Sequence, residues 1–492
     1  MSYGENESIN NALSRAFALL DYNIHNDIHK EYEFKKKTLL DDESLTENEK
    51  SEAISIITKT YDLNKLIFNS GTKRICENCN QECLATTYCE HCVRNYLKAN
   101  FSNWTSGNDV IDNLIQECQM KTIYPRLIPE WIPYNNLQNI EFLTKGGFSE
   151  VYKAIWINGH FIEWNSKEQQ LKRFGRQYVV LKKLRDVESA NQNWLEEARS
   201  HLAISNKWNE IVQCFGLTKD PFDGNYMLVM QYMYNDLRKY LQQSHNQLIW
   251  KAKIQAAVDV IHALEKIHSE QAIHRDLHSG NILFKNNRFF MSDLGFCGPA
   301  DKPLKSIYGN LPYIAPEVII GKEHTLKSDI YSIAMLMWEI SSGQPPFFNY
   351  EHNYNLARNI VNGIRPKIVP GTPLEYKNLM IQCWDADPLK RPNIFTLRRR
   401  IKEIELLYQS DESLTQSGEN NNFEINNYTS SSKLFTSKLH QFDNLPEPRN
   451  ATEEEQEAFH IDDLNKSSNI QNDYKIETIQ EKPYVEDNDD ED

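Results

Sequence analysis

Asp276 and Asn281 stand five positions apart in the stretch Ile273-His274-Arg275-Asp276-Leu277-His278-Ser279-Gly280-Asn281-Ile282-Leu283. A carboxylate can accept the proton of an attacking hydroxyl, and an amide oxygen can hold a divalent cation. One loop that carries both can therefore serve a single phosphate. A second chemically capable group lies far upstream: Cys76-x2-Cys79-x3-Cys83-x5-Cys89-x2-Cys92, with His91 inside the last pair. Two C-x-x-C pairs separated by nine residues match a small tetrahedral zinc site, each pair clamping one edge. Cys76, Cys79, Cys89 and Cys92 form the expected ligand set, and Cys83 or His91 could replace one member. Such a closed site serves folding rather than catalysis. The alternative is a set of buried thiols without metal.

Elements must position these groups, and further polar residues punctuate them in a fixed order. Leu143-Thr144-Lys145-Gly146-Gly147-Phe148-Ser149-Glu150-Val151 joins two strand-like runs, and Val179-Val180-Leu181-Lys182 is an apolar strand ending in a lysine. A helical stretch from Ser189 to Ile204 carries Glu196 and Glu197. Met227 to Met230 is another apolar strand, and Lys251 to His268 an amphipathic helix. Beyond the Asp276 loop come Asp293-Leu294-Gly295, then Ala315-Pro316-Glu317, Asp329 and Arg391.

In this order and at these separations the motifs resemble the eukaryotic protein kinase family over residues 134–407, and within it the tyrosine-kinase-like group. His274-Arg275-Asp276-Leu277-x3-Asn281 is similar to the family's catalytic loop, Asp293-Leu294-Gly295 to its D-F-G, and Ala315-Pro316-Glu317 to its A-P-E. The resemblance implies an α+β, bilobal fold, with a small β-rich N-lobe (134–233) and a larger helical C-lobe (234–407). It implies Mg-ATP as cosubstrate and a protein hydroxyl as acceptor. Asp276 would be the base, Lys182 the phosphate-binding cation, Glu197 its partner (Glu196 being the rival), and Asn281 and Asp293 the Mg²⁺ ligands. Leu143, Gly146, Gly147, Ser149, Val151, Val180, Met230, Met233 and Leu283 would line the nucleotide site. Thr144 and Ser149 replace the outer two glycines of the family's phosphate loop, so a nucleotide-binding pseudokinase scaffold is the alternative reading. Glu317 would pair with Arg391, and Asp329 would brace the catalytic loop. His278 and Asn310 stand where many serine/threonine kinases have lysine and threonine. The changed pair resembles the tyrosine-kinase-like group, whose members mostly modify serine or threonine, so the resemblance implies serine or threonine ahead of tyrosine. Arg275 implies control by phosphorylation of the activation segment, with Ser306 and Tyr308 as candidate acceptors.

Outside that span, two amphipathic helices are expected, one through Ile9, Leu13, Ala16, Phe17, Leu20, Ile24 and Ile28, the other opening at the Thr46–Glu49 capping box. They place a helical region at 1–70, a zinc-ribbon-like cysteine module at 71–100 and a connector at 101–133. Within the connector, Trp104-Thr105-Ser106-Gly107-Asn108 and the preceding cysteines resemble kinase-like families expanded in arbuscular mycorrhizal fungi. The loop between Ala154 and Gln177 reads as a solvated insertion. From 408 to 492, Asn, Ser and acidic residues dominate, and a disordered tail is expected. The net charge of −15 argues against nucleic-acid phosphates as partner. No signal-peptide, lipid-anchor or membrane-span pattern is present, and nine cysteines without one point to an intracellular, reducing compartment, cytoplasm or nucleus.

Overall fold

The computed structural model describes residues 7–21, 24–122, 124–145, 149–184, 194–299, 307–410 and 437–461. They form two compact units, Met1–Tyr232 and Met233–Asp492.

The first unit begins with three helices, α1 (Glu7–Ala18), α2 (Ile28–Leu40) and α3 (Glu47–Phe68). The expected capping box opens α3, with Glu49 N–H on Thr46 Oγ1 and Thr46 N–H on the Glu49 carboxylate. The single helix expected through Ile28 is instead split, because Asp27 caps a new helix at His29 and Lys30. Ile9, Ala12 and Ala16 of α1 are buried with Leu39, Ala53 and Ile57, while Phe17 and Ile24 are exposed. Next come the two-stranded β1 (Arg74–Ile75) and β2 (Glu82–Cys83), then α4 (Glu90–Ala99) and α5 (Asp109–Lys121). Buried Asp62 of α3 accepts the N–H and hydroxyl of both Thr86 and Thr87, and its neighbour Lys65 donates to Leu84 O at 2.6 Å. Helix α3 is thus stapled to the cysteine loop.

The sheet of this unit runs β3 (Glu130–Trp131), β9 (Cys214–Lys219), β10 (Tyr226–Gln231), β8 (Gln177–Leu184), β5 (Ser149–Trp156), β4 (Leu137–Lys145). All neighbours are antiparallel except β3 and β9. Strand alternation sends Val179, Leu181, Met227 and Val229 into one core with Trp156 and Phe215. It leaves Val180 and Lys182 on the other face.

The loop read as a solvated insertion is a hairpin, β6 (Phe161–Asn165) and β7 (Gln170–Arg173). Phe161, Trp164 and Leu171 are buried against Cys76, Cys89, Cys92, Val93 and Leu97. Its charged turn faces solvent, but its aromatic residues cover the cysteine module, and Asn78 reaches Gln169 Oε1 at 2.7 Å. Of the basic residues at its end, Lys172 pairs with Glu163 and Arg173 with Glu130, while Arg176 donates to Gln138 Oε1 at 3.3 Å.

The second unit is mostly helical: α7 (Leu237–Ser244), α8 (Trp250–Ser269), α9 (Pro316–Ile319), α10 (Leu326–Ser342), α11 (Tyr354–Val361), α12 (Leu374–Cys383) and α13 (Ile394–Ser410). The short α6 (Trp194–Ser200) belongs to the first unit. Helix α10 is buried from Ser328 to Ser341 all round, which explains its apolar sequence. Its Thr325 cap and the left-handed Gly343 end it at both sides. Short strands β11 (Asn235–Asp236), β13 (Ile282–Lys285) and β14 (Arg288–Met291) form a three-stranded sheet; β12 (Ala272–Ile273) pairs with β15 (Gly298–Pro299).

Composition assigned all of 408–492 to a disordered tail, and residues 437–461 depart from that. Strand β17 (Lys438–His440) pairs with β16 (Ile307–Gly309), and a helix, α14, covers 453–461. Sparse apolar residues suffice here because the two phenylalanines have ready-made partners: Phe459 stacks on Tyr350 at 5.2 Å, and Phe442 contacts Tyr354. No helix among the described residues is long and apolar enough to cross a membrane.

Candidate active site

In the first unit the β8 register fixes the surroundings of Lys182. Lys182 lies opposite Val151 of β5 and Leu228 of β10, and Val180 lies opposite Met230. Paired residues in antiparallel strands share a face, so Val151, Val180, Lys182 and Met230 share one. Lys182 Nζ donates to Glu197 Oε1 at 2.8 Å, both side chains being mostly buried. Glu197, not Glu196, therefore meets the lysine; Glu196 is 62% exposed and turns toward Arg199. Lys183, one residue on, takes the opposite face and pairs with Asp223. Leu143 is exposed and Ser149 half-buried. Gly146 and Gly147 lie outside the described residues.

In the second unit a hairpin brings the other groups together. Asn286 and Asn287 both have positive φ, 51° and 56°, the geometry of a two-residue primed turn. That turn sets the β13–β14 register, Ile282 opposite Met291. Asn281 and Ser292, flanking the hairpin, must then be neighbours: Ser292 N–H and Oγ both reach Asn281 O at 2.9 Å. Asp293 follows directly in the left-handed region, φ 56°, its carboxylate accepting Gly295 N–H. The Asn281 amide donates to Asp276 O at 2.9 Å, which leaves Oδ1 as the atom that could hold a cation.

The Asp276 loop hangs on one buried carboxylate. Asp329 accepts His274 N–H at 2.8 Å, Arg275 N–H at 3.0 Å and the His268 ring at 2.9 Å. Burial alone pushes this carboxyl up, but the His268 ring and the His274 amide outweigh it and hold it below the ordinary aspartate value. With Asp329 as brace, Arg275 takes φ 71°, a conformation a non-glycine residue holds only when its surroundings fix it. The His274 ring, kept neutral by burial, bonds Ser292 O and receives Asp276 N–H, tying the loop to the Asp293 segment. His278 is held neutral too: burial, then Arg238, brings it down to about 3. Its Nδ1 accepts Gly280 N–H, so the proton sits on Nε2, which lies 3.8 Å from Asp276 Oδ2. Asp276 also accepts the Ser437 hydroxyl, 2.8 Å from Oδ1.

Further out, Arg391 grips Glu317 with two bonds of 2.7 and 2.8 Å, both side chains buried. Met233 is buried and Leu283 half-buried on β13. Tyr308 is only 5% exposed, and Ser306 lies outside the described residues. Reasoning from sequence missed His268, Ser292 and Ser437. Ser292 had a signal, a hydroxyl between the apolar run Phe289–Met291 and Asp293; His268 and Ser437 had none.

The cysteine cluster stands apart. The Sγ atoms of Cys76, Cys79, Cys89 and Cys92 lie within 4.8 Å of one another, with 3.7 Å from Cys76 to Cys92 and from Cys79 to Cys89. A tetrahedron of metal–sulfur bonds of about 2.3 Å has edges of roughly 3.8 Å, so the four sulfurs fit a zinc ion. Cys79 N–H pulls the Cys76 thiol down to about 6, toward the thiolate that a metal needs, while burial pushes the Cys89 and Cys92 thiols up. Cys83 belongs instead to a group with Cys89 and Glu90, and the His91 ring bonds Glu82 O.

Comparison with known proteins adds the family. Residues 137–401, more than half of the chain, match the model described as "Protein tyrosine and serine/threonine kinase". Among similar proteins, the Dictyostelium discoideum protein named "Probable serine/threonine-protein kinase roco5" is 30% identical over 316 residues, covering 59% of this chain and 10% of the relative. The mouse "Dual serine/threonine and tyrosine protein kinase" is 34% identical over 183 residues, 36% of this chain and 19% of its own length. Arabidopsis thaliana "Serine/threonine-protein kinase VIK" is 28% identical over 293 residues, 56% of this chain and 62% of its own. The chain thus spans from a tenth to under two thirds of these relatives. By the match over its sheet, its catalytic loop and its helical unit, it belongs to the protein tyrosine and serine/threonine kinase family.

Proposed function

We propose that this chain transfers the γ-phosphoryl group of ATP to a protein hydroxyl, serine or threonine in preference to tyrosine, in intracellular signalling. The observation that carries the reading is the Asp276 loop: its backbone is held by the Asp329 brace through His274 and Arg275 N–H, and the Asp276 carboxylate already accepts a hydroxyl donor. Phosphoryl transfer passes through a loose transition state, so positioning and charge neutralisation supply most of the rate. Lys182, oriented by Glu197, would neutralise phosphate oxygens; Asp276 would orient the acceptor hydroxyl and take its proton; His278, neutral, would leave the Asp276 charge intact. Asn281 and Asp293 would hold Mg²⁺, which when bound neutralises phosphate charge. Val151, Val180, Met230, Met233 and Leu283, with Leu143, Gly146, Gly147 and Ser149, would surround the nucleotide.

Preference for serine and threonine draws on the relatives' names. The reducing compartment draws on the nine cysteines, and the four-sulfur geometry supports structural Zn²⁺ at Cys76, Cys79, Cys89 and Cys92. The test is phosphate incorporation from Mg-ATP into a generic protein acceptor, native chain against Asp276→Asn. A loss of about 10²-fold or more is expected. Equal signals from both would remove the enzymatic reading and leave a nucleotide-binding scaffold that works through its cysteine module.

A further inference from the structure

Residues 437–461 lie on the second unit the way an extended peptide lies on a sheet edge. Lys438, Leu439 and His440 pair antiparallel with Gly309, Tyr308 and Ile307, and the His440 ring adds a bond to Gly309 O at 3.0 Å. The receiving strand closes the activation segment. Its Gly309, at φ +139°, is so near the catalytic loop that a Cβ would stand 3.3 Å from Asp276 Oδ1. The register of the added strand then delivers the residue before it, Ser437, onto Asp276, and that side chain is 9% exposed.

The rest of the segment is anchored too. Asn450 exchanges bonds with Asp385 and Ala386 N–H, Arg449 N–H reaches Val361 O, and Gln456 bonds Gly363 O and Arg365 N–H. A Thr452–Glu455 capping box starts α14, which carries Phe459 onto Tyr350. Main-chain pairing supplies affinity and a few side-chain anchors supply register, the arrangement of strand addition.

We propose that Ser437 is the acceptor of an intramolecular phosphoryl transfer, its segment seated as the chain's own substrate. The inference rests on the kinase reading above. The Ser437 Oγ–phosphorus bond forms as the bond from the γ-phosphorus to the β,γ-bridging oxygen breaks. ADP leaves with that electron pair, and the hydroxyl proton passes to Asp276. A serine Oγ stands one carbon from its Cα, so a strand this close to Asp276 suits serine and leaves no depth for a tyrosine ring. Once modified, Ser437 carries about −1.5 to −2 charge against the Asp276 carboxylate, which favours release of the strand and opens the edge of β16 to other peptides.

The experiment uses the full chain, stripped by phosphatase, then given Mg-ATP with and without a generic protein acceptor, with Ser437 followed by peptide mass spectrometry. Labelling of Ser437 should be first order and independent of chain concentration over about a hundredfold range. In the full chain carrying Leu439→Pro, which removes a main-chain donor and locks φ in an exposed edge strand, it should fall about tenfold or more, while labelling of the generic acceptor holds or rises. A Ser437 rate that scales with concentration would overturn the proposal, as would one untouched by Leu439→Pro. Acceptor labelling by either chain while Ser437 stays bare would overturn it and spare the kinase reading. Absence of any labelling in both chains would take down both.

Discussion

The pair between Glu317 and Arg391 sets up a double-variant test of what holds the helical unit together. Arg391 is 2% exposed and Glu317 5%. Besides its two bonds to the carboxylate, the guanidinium donates to Asp385 O at 2.8 Å and Lys327 O at 2.9 Å. Arg391→Met removes the cation and strands a buried carboxylate, which costs about 3–5 kcal/mol. Two carbonyls lose a donor as well, adding roughly 1 kcal/mol each if water does not replace it. A loss near 5 kcal/mol is a large part of the 5–15 kcal/mol that a domain commonly has. Adding Glu317→Leu removes the stranded charge, so the double variant should recover about 3 kcal/mol of that loss. Urea unfolding read by pulse proteolysis of the fragment from the second unit separates it from the first. With a slope of about 2–3 kcal/mol per molar, the Arg391→Met midpoint should drop by roughly 2 M, and the double variant should regain about 1 M. Equal midpoints for Arg391→Met and the double variant would refute the reasoning, since the stranded charge would then carry no penalty.

Removing Lys182 by Lys182→Met should lower kcat by about 10²–10³ with little change in melting temperature, and Glu197→Gln should lower it less, both measured by phosphate transfer. Chelation of metal, or Cys79→Ser, should abolish bound zinc by elemental analysis and raise hydrogen exchange in the β6–β7 hairpin, while a hairpin equally protected without metal would disconnect the two. Acid should weaken the second unit. His262 and His278 sit near 3 and His324 and His352 near 4, each lowered first by burial from 6.5. Between those values and 6.5 the unfolded chain binds more protons, so stability rises with pH there and is lost as pH falls, by up to about 1.4 kcal/mol per pH unit for each ring. Melting temperatures of the second unit that stay flat from pH 7 to about pH 5 would contradict this.

Legibility in the sequence followed the chemistry of each feature. Glu317 and Arg391, 74 positions apart, could be paired only through the family resemblance, whereas the Asp276 loop and Asp293 could be read because phosphate chemistry demands particular residues at short spacings. The four sulfurs could be read for the same reason, since two C-x-x-C pairs restrict geometry. Glu197 could be preferred to Glu196 only through the family resemblance, because a helix register one residue off changes nothing in local pattern. Helix α2 was hidden in a run of lysine and glutamate whose capping aspartate interrupts an otherwise continuous helical period. The hairpin at 161–173 was misread from its charged residues, which are satisfied by Glu130 and Glu163, while three apolar side chains among them were undercounted. The strand at 438–440 escaped because strand addition draws on backbone bonds, and those leave no mark on composition.

The packing of that hairpin has a practical corollary for anyone cutting the polypeptide into expression fragments. A fragment begun near Tyr134, just ahead of the family match, keeps the sheet with Lys182 but strips the surface beneath Phe161, Trp164 and Leu171. Laying three such side chains bare forfeits roughly 5–9 kcal/mol of burial and presents a sticky patch to neighbouring molecules. A cloning boundary ahead of Thr46 retains α3, the Asp62 staple and the whole cysteine loop, and is the shorter product to be expected soluble.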